Sequence, residues 1–88
     1  MLISHSKNIA WRVIDGKAYI VNTGTSCLHS LDEVGAFIWQ KLHKKCSAAK
    51  LVDLLLKEYD VEKTVAADDV TGFISELKEK GLIEIQND

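Results

Sequence analysis

Asp15-Gly16 sits between two alternating runs, Ile9–Val13 and Ala18–Asn22, and that placement constrains the fold more than any other feature. A type I′ turn needs positive φ at both central residues, which Asp-Gly tolerates, and it leaves its flanking strands antiparallel. In the first run Ile9, Trp11 and Val13 alternate with Ala10 and Arg12, the period of a half-buried strand. Thr23-Gly24-Thr25 supplies a second turn, and Ser26–His29 reads as a short third strand. Beyond residue 30 the spacing becomes helical. Strands segregated from helices give an α+β fold.

Ser30-Leu31-Asp32-Glu33 fits a capping box, with Ser30 accepting from the Glu33 amide and the Glu33 carboxylate reaching back. The helix that follows runs to about Leu42. It places Val34, Ile38 and Leu42 on one face, and Gly35 lets another backbone come close. Lys44-Lys45 suit its negative end. Ser47 caps a second helix whose buried stripe is Ala48, Leu51, Val52, Leu55 and Tyr59. A third helix starts near Thr64 or Val65, with Asp68 and Asp69 complementing its N-terminal dipole and Val70, Phe73, Ile74 and Leu77 as its apolar face. Gly81 is a left-handed cap, and Leu82–Ile85 packs back or adds a strand. The outline is a small winged helix-turn-helix-like domain: a three-stranded antiparallel sheet followed by three helices.

Eighty-eight residues suit one domain, 1–88, too small for an internal cleft with a buried active site. The chain has no Pro and no low-complexity run that would mark a linker, so only the first few residues and Gln86–Asp88 read as loose ends. The N-terminus lacks a basic start followed by a long apolar stretch, and no run is long enough to span a bilayer. A cytoplasmic chain with two reduced thiols, Cys27 and Cys46, is the expectation. Net charge is −2, but unevenly spread. Residues 1–46 carry six Lys and Arg against three Asp and Glu (+3), and residues 47–88 five against ten (−5).

Winged helices often bind DNA, which needs cations facing phosphates. Here the third helix carries Asp68, Asp69, Glu76 and Glu79 against Lys78 and Lys80, so a DNA-binding regulator stands as the alternative and nucleic acid is not the expected partner. Cys27 and His29 share a strand face, and His43 and Cys46 lie three apart, but neither pair has the doubled CxxC framework of structural zinc. No metal or cofactor is expected. On one strand face Cys27 and His29 point in parallel rather than into a shared cleft, and no phosphate loop or nucleophile elbow appears, so the chain does not read as an enzyme.

The remaining candidate is peptide capture. Exposed edge strands are usually blunted by Lys, Pro or inward charge. Ser26-Cys27-Leu28-His29-Ser30 has none of these, so a peptide pairing there gains backbone hydrogen bonds and places alternate side chains in pockets. The edge is equally open to cover by the C-terminal Leu82–Ile85 run or by a second copy, which leaves monomer and homodimer both standing.

The order of these motifs resembles the PqqD family, the precursor-peptide recognition elements of ribosomal peptide maturation. The resemblance rests on the hairpin, the Leu-Asp-x-x-Gly and Ile-Trp of the first helix, and the Glu-Tyr-Asp-Val after the second. It is completed by the acidic start of helix three and by Phe-Ile-x-x-Leu-x-x-x-Gly-Leu-Ile, and it spans about Asp15 to Glu84. Two positions depart from the family pattern: Leu31-Asp32 stands for the frequent Leu-Asn, and His43–Cys46 replaces the usual Asp-Gly turn. The resemblance implies a non-catalytic protein in which a leader peptide adds as a fourth antiparallel strand. By position, Cys27, Leu28, His29 and Ser30 form the strand contribution, and Asp69, Val70, Phe73, Ile74 and Leu77 the helix contribution. It further implies delivery of the precursor to a modifying enzyme, a radical S-adenosylmethionine protein or a leader protease, as in pyrroloquinoline quinone or related peptide biosynthesis.

Overall fold

The computed structural model describes residues 1–86. The elements, in chain order, are β1 (Leu2–His5), β2 (Ile9–Ile14), β3 (Lys17–Asn22), β4 (Cys27–Leu31), α1 (Glu33–Lys41), α2 (Ala48–Glu58), α3 (Lys63–Glu79) and β5 (Ile83–Gln86). Asp15 and Gly16 hold φ of 52° and 77°, so the β2–β3 turn has the backbone its dipeptide favours. β4 adds antiparallel to β3, giving a sheet in the order β2-β3-β4. Ala18 and Ile20 are fully buried, and their partners across β4 are Leu31 and His29. Directly paired residues lie on one face of a sheet. His29 and Leu31 therefore face the helices, whereas Leu28 and Ser30 face away.

The chain's two ends form a second sheet, which the sequence reading missed. Leu2 pairs with Gln86, Ile3 with Ile85, Ser4 with Glu84 and His5 with Ile83. The first residues are thus not loose: Ile3 is 1% exposed, and its N–H and C=O also bond Cys46 at 2.8 and 3.1 Å. Residues 87–88 lie outside the described residues. A complete cap turns the chain into β5. Gly81 has φ 74°, its amide donates to Lys78 O (3.0 Å), and the Leu82 amide donates to Leu77 O (2.9 Å).

Two helix starts differ from the sequence expectation. Ser30 is not a cap, because β4 continues through Leu31 and holds Ser30 opposite Tyr19. The first orphan amides begin two residues later, so Asp32 caps α1 and accepts from Gly35 N at 2.8 Å. α3 begins at Lys63 and has no acidic residue in its first turn, which leaves Asp68 and Asp69 beyond the reach of the dipole. Ser47 caps α2 as expected, accepting from Lys50 N at 3.1 Å. Ala48, however, is exposed, because the first turn of α2 lies clear of the core.

The core joins α1 (Ala36, Ile38, Trp39), α2 (Leu51, Val52, Leu55), α3 (Ala66, Val70, Ile74, Leu77) and residues of β1, β3 and β5. His5 stacks on Trp39 at 3.8 Å between centroids, and Trp11 meets both rings edge-on. His5 Nε2–H donates to Trp39 O at 2.8 Å, since a carbonyl can only accept. Among the described residues no helix is long and apolar enough to cross a membrane.

Replacing Ile3 by Ala should lower unfolding free energy by about 2–5 kcal/mol, the usual loss for emptying a packed aliphatic site. A shift in denaturant midpoint too small to measure would show β1 to be dispensable. Burial is the main influence on His5 and pushes its imidazole below its ordinary range, against the Trp39 hydrogen bond, which raises it. The unfolded chain therefore takes up the proton first, so this contribution is intact above pH of about 6.5 and declines as pH falls from there toward the lower folded value. Denaturation midpoints across that window should decline less steeply in His5→Gln.

Candidate functional site

The outer edge of β4 has no strand beside it among the described residues, because the only other terminal strand is engaged with β1. β2 is the opposite edge, but it carries Arg12 at its centre and Trp11 against the His5–Trp39 stack. β4 carries no charge, and its Leu28 is 65% exposed. An uncharged edge with an exposed leucine is a pairing template.

Beside the C-terminal end of β4 opens a groove of about 540 Å³ between α1 and α3. Its α1 wall is Asp32, Val34, Gly35 and Ile38, and its α3 wall is Asp68, Asp69, Gly72, Phe73 and Glu76. Asp32, the residue that follows β4, also lines a smaller depression with Ser30, Leu31, Tyr19 and Lys17, so the end of β4 borders the groove. The apolar floor is ringed by carboxylates, and no cation lines it. Asp32 is committed to its cap and Glu76 pairs with Lys80 at 2.8 Å, while the carboxylates of Asp68 and Asp69 have no hydrogen bond or ion pair among the described residues.

Two glycines shape the walls in opposite ways. A Cβ at position 35 would lie 3.1 Å from Phe73 Cε1, 3.2 Å from Asp32 Oδ1 and 3.2 Å from Leu31 Cβ. Gly35 thus permits the close approach of α1 to Phe73. A Cβ at position 72 would meet nothing within 4 Å. Glycine within a helix costs roughly 0.5–1 kcal/mol relative to Ala, and the packing around Gly72 offers nothing in return.

The residues assigned from the sequence divide in two. Asp69 and Phe73 line the groove. Val70 and Leu77 are buried at 0% and 1% exposure and Ile74 at 9%, so these three face the core. On β4, Cys27 is exposed and His29 half-buried on the helix-facing side, while Leu28 and Ser30 lie on the outer side. The sequence placed Val34 and Ile38 on one face of the first helix and a close approach at Gly35, but neither these residues nor Gly72 were assigned to the site. The Leu31–Gly35 segment carried a signal, because a glycine one turn into an amphipathic helix marks close approach. Cys27 and His29 have no metal-binding company: among the described residues no three His, Cys, Asp or Glu converge.

A family model described as coenzyme PQQ synthesis protein D (PqqD) matches residues 11–83. The chain belongs to the PqqD family. Two solved structures share its architecture. One, of TbiB1 in complex with the TbiA(beta) leader peptide, is 27% identical with a TM-score of 0.88, covering 97% of this chain and 99% of that one. The other, of lasso peptide synthetase B1 complexed with the leader peptide, is 25% identical with a TM-score of 0.83, covering 94% of this chain and 98% of that one. No curated protein matches.

Gly35→Val should lower stability by about 1–3 kcal/mol, as overpacking does, and displace the Phe73 ring. Thermal denaturation and the Phe73 ring proton shifts would register both. An unchanged ring environment would mean that the α1–α3 approach does not depend on this glycine.

Proposed function

We propose that the chain is a single, non-catalytic recognition domain that holds the leader segment of a ribosomally made precursor peptide and presents it to a modifying enzyme. The observation that carries this reading is the vacant β4 edge running into the α1–α3 groove. The guest pairs antiparallel with Cys27–Leu31, and every second side chain then points toward the groove. Asp69 and Phe73 contact it directly, while Val70, Ile74 and Leu77 hold α3 in place from beneath. Membership of the PqqD family and likeness to two proteins solved with leader peptides support the assignment.

Charge narrows the guest. A groove lined by four carboxylates and no cation favours a leader with Lys or Arg at a groove-facing position. Exposed ion pairs contribute only about 0.2–1 kcal/mol each, so they select among peptides rather than generate the affinity. The same acidity on α3 opposes duplex DNA, whose phosphates would face Asp68, Asp69 and Glu76. Holding the precursor beside its enzyme raises its effective concentration, a sufficient role for a domain without catalytic groups. The enzyme is either a radical S-adenosylmethionine protein or a leader protease, and the domain works in the cytoplasm.

The test is a titration of isotope-labelled protein with the TbiA(beta) leader peptide and with short precursors encoded beside the gene. Amide shifts should concentrate at residues 27–31 and around Phe73, with affinity weakening as salt rises. Shifts confined to β2 and Trp11, or no binding by any of these peptides, would sink the reading.

A further inference from the structure

We propose that Gly72 is the specificity-determining position of the groove: a notch in α3 that admits a long cationic side chain of the guest against bare helix backbone. This rests on the peptide-binding reading above and goes further by saying which guest side chain is chosen and where it lodges.

Gly72 lies near the middle of the 17-residue α3, where glycine is the wrong choice for a helix. Its φ is not left-handed, so the backbone does not require it. No neighbour approaches the site of its absent Cβ, so packing does not require it either. In these respects it is unlike Gly35, which close contacts explain, and Gly81, which a positive φ explains. What remains is that position 72 lines the groove and that any side chain there would project into it. Asp68 and Glu76 lie one turn before and one turn after, and Asp69 three residues before, so the notch opens between carboxylates. Phe73 adjoins it as an apolar wall. A methylene stem along helix backbone and Phe73, with its charged end among carboxylates, is how Lys and Arg side chains bury themselves partway.

The experiment begins with a displayed library of random linear peptides selected on the immobilised full chain, from which binders are synthesised for calorimetry. Lys or Arg should recur at one position among the binders. Gly72→Ala should raise the melting temperature by roughly 2–8 °C, as relief of a helical glycine does in a domain of this size, yet bind more weakly. Gly72→Leu, which also favours the helix, should bind at least about tenfold more weakly. Changing the recurrent Lys or Arg of the peptide to Ala should bring wild type and Gly72→Leu to equal affinity, because the notch then has nothing to admit.

If the library yields binders and Gly72→Leu holds them as tightly as wild type, Gly72 has no such role and the peptide-binding reading survives. If Gly72→Leu remains much weaker after the cationic residue is removed, the cationic assignment is overturned. If wild type selects no peptide at all, the functional reading itself has failed.

Discussion

The antiparallel pairing of β5 with β1 decides what this molecule can do. A C-terminal run of Leu-Ile-Glu-Ile is a natural candidate to cover an open strand, and the β2-β3-β4 sheet offers β4 as one of its two edges. The Gly81 cap instead aims the chain at the N-terminus, where Ile3, Leu82 and Ile83 become core residues. β1 is held from both sides: it pairs with β5 along one edge, and the N–H and C=O of Ile3 bond Cys46 on the other. β1 therefore also fastens the α1–α2 connection, at Cys46. One short strand closes the tail, secures that connection and leaves β4 vacant.

The groove beside the vacancy depends on misplaced-looking residues with separate physical causes. Asp68 and Asp69 have the composition of a helix start but lie beyond it, because α3 begins at Lys63. Released from capping, they contribute their charge to the groove. Asp32 does cap, and by ending β4 and starting α1 it joins the strand edge to the groove. Gly35 brings one wall close and Gly72 keeps the other low. The acidity of the second half of the chain is in this sense local, concentrated where a guest would lie.

Much of this was legible in the sequence where the signal is local. The Asp15-Gly16 hairpin, the Ser47 cap and the Gly81 cap each follow from residues within one turn of the chain, and all three are present. β1 was not legible. Leu2–His5 is four residues long, has no flanking turn chemistry, and finds its partner some eighty residues away. The α1 cap failed for a different reason: Ser30 and Asp32 both offer good capping oxygens, and tertiary pairing of β4 with β3 chose between them. The helix-three face was legible as apolar but not as divided. A stripe of Val70, Phe73, Ile74 and Leu77 looks uniform until α2 and the sheet bury three members and leave Phe73 half out.

An uncharged open edge ought to be a hazard, and energetics explain why it need not be. In a five-residue strand about half the residues turn their N–H and C=O groups outward. Each bond made there is worth about 0.5–1.5 kcal/mol net, whereas each guest residue that becomes ordered costs about 1–2 kcal/mol. Main-chain pairing alone therefore falls short of holding a flexible peptide. The surplus has to come from side chains, and a single aliphatic or aromatic residue moved from water into an apolar groove contributes about 1.5–3 kcal/mol. A segment that pairs with β4 but offers nothing to the Val34–Ile38–Phe73 floor would dissociate. In the proposed binding mode the edge supplies geometry and register, the groove supplies the discrimination, and neither suffices without the other.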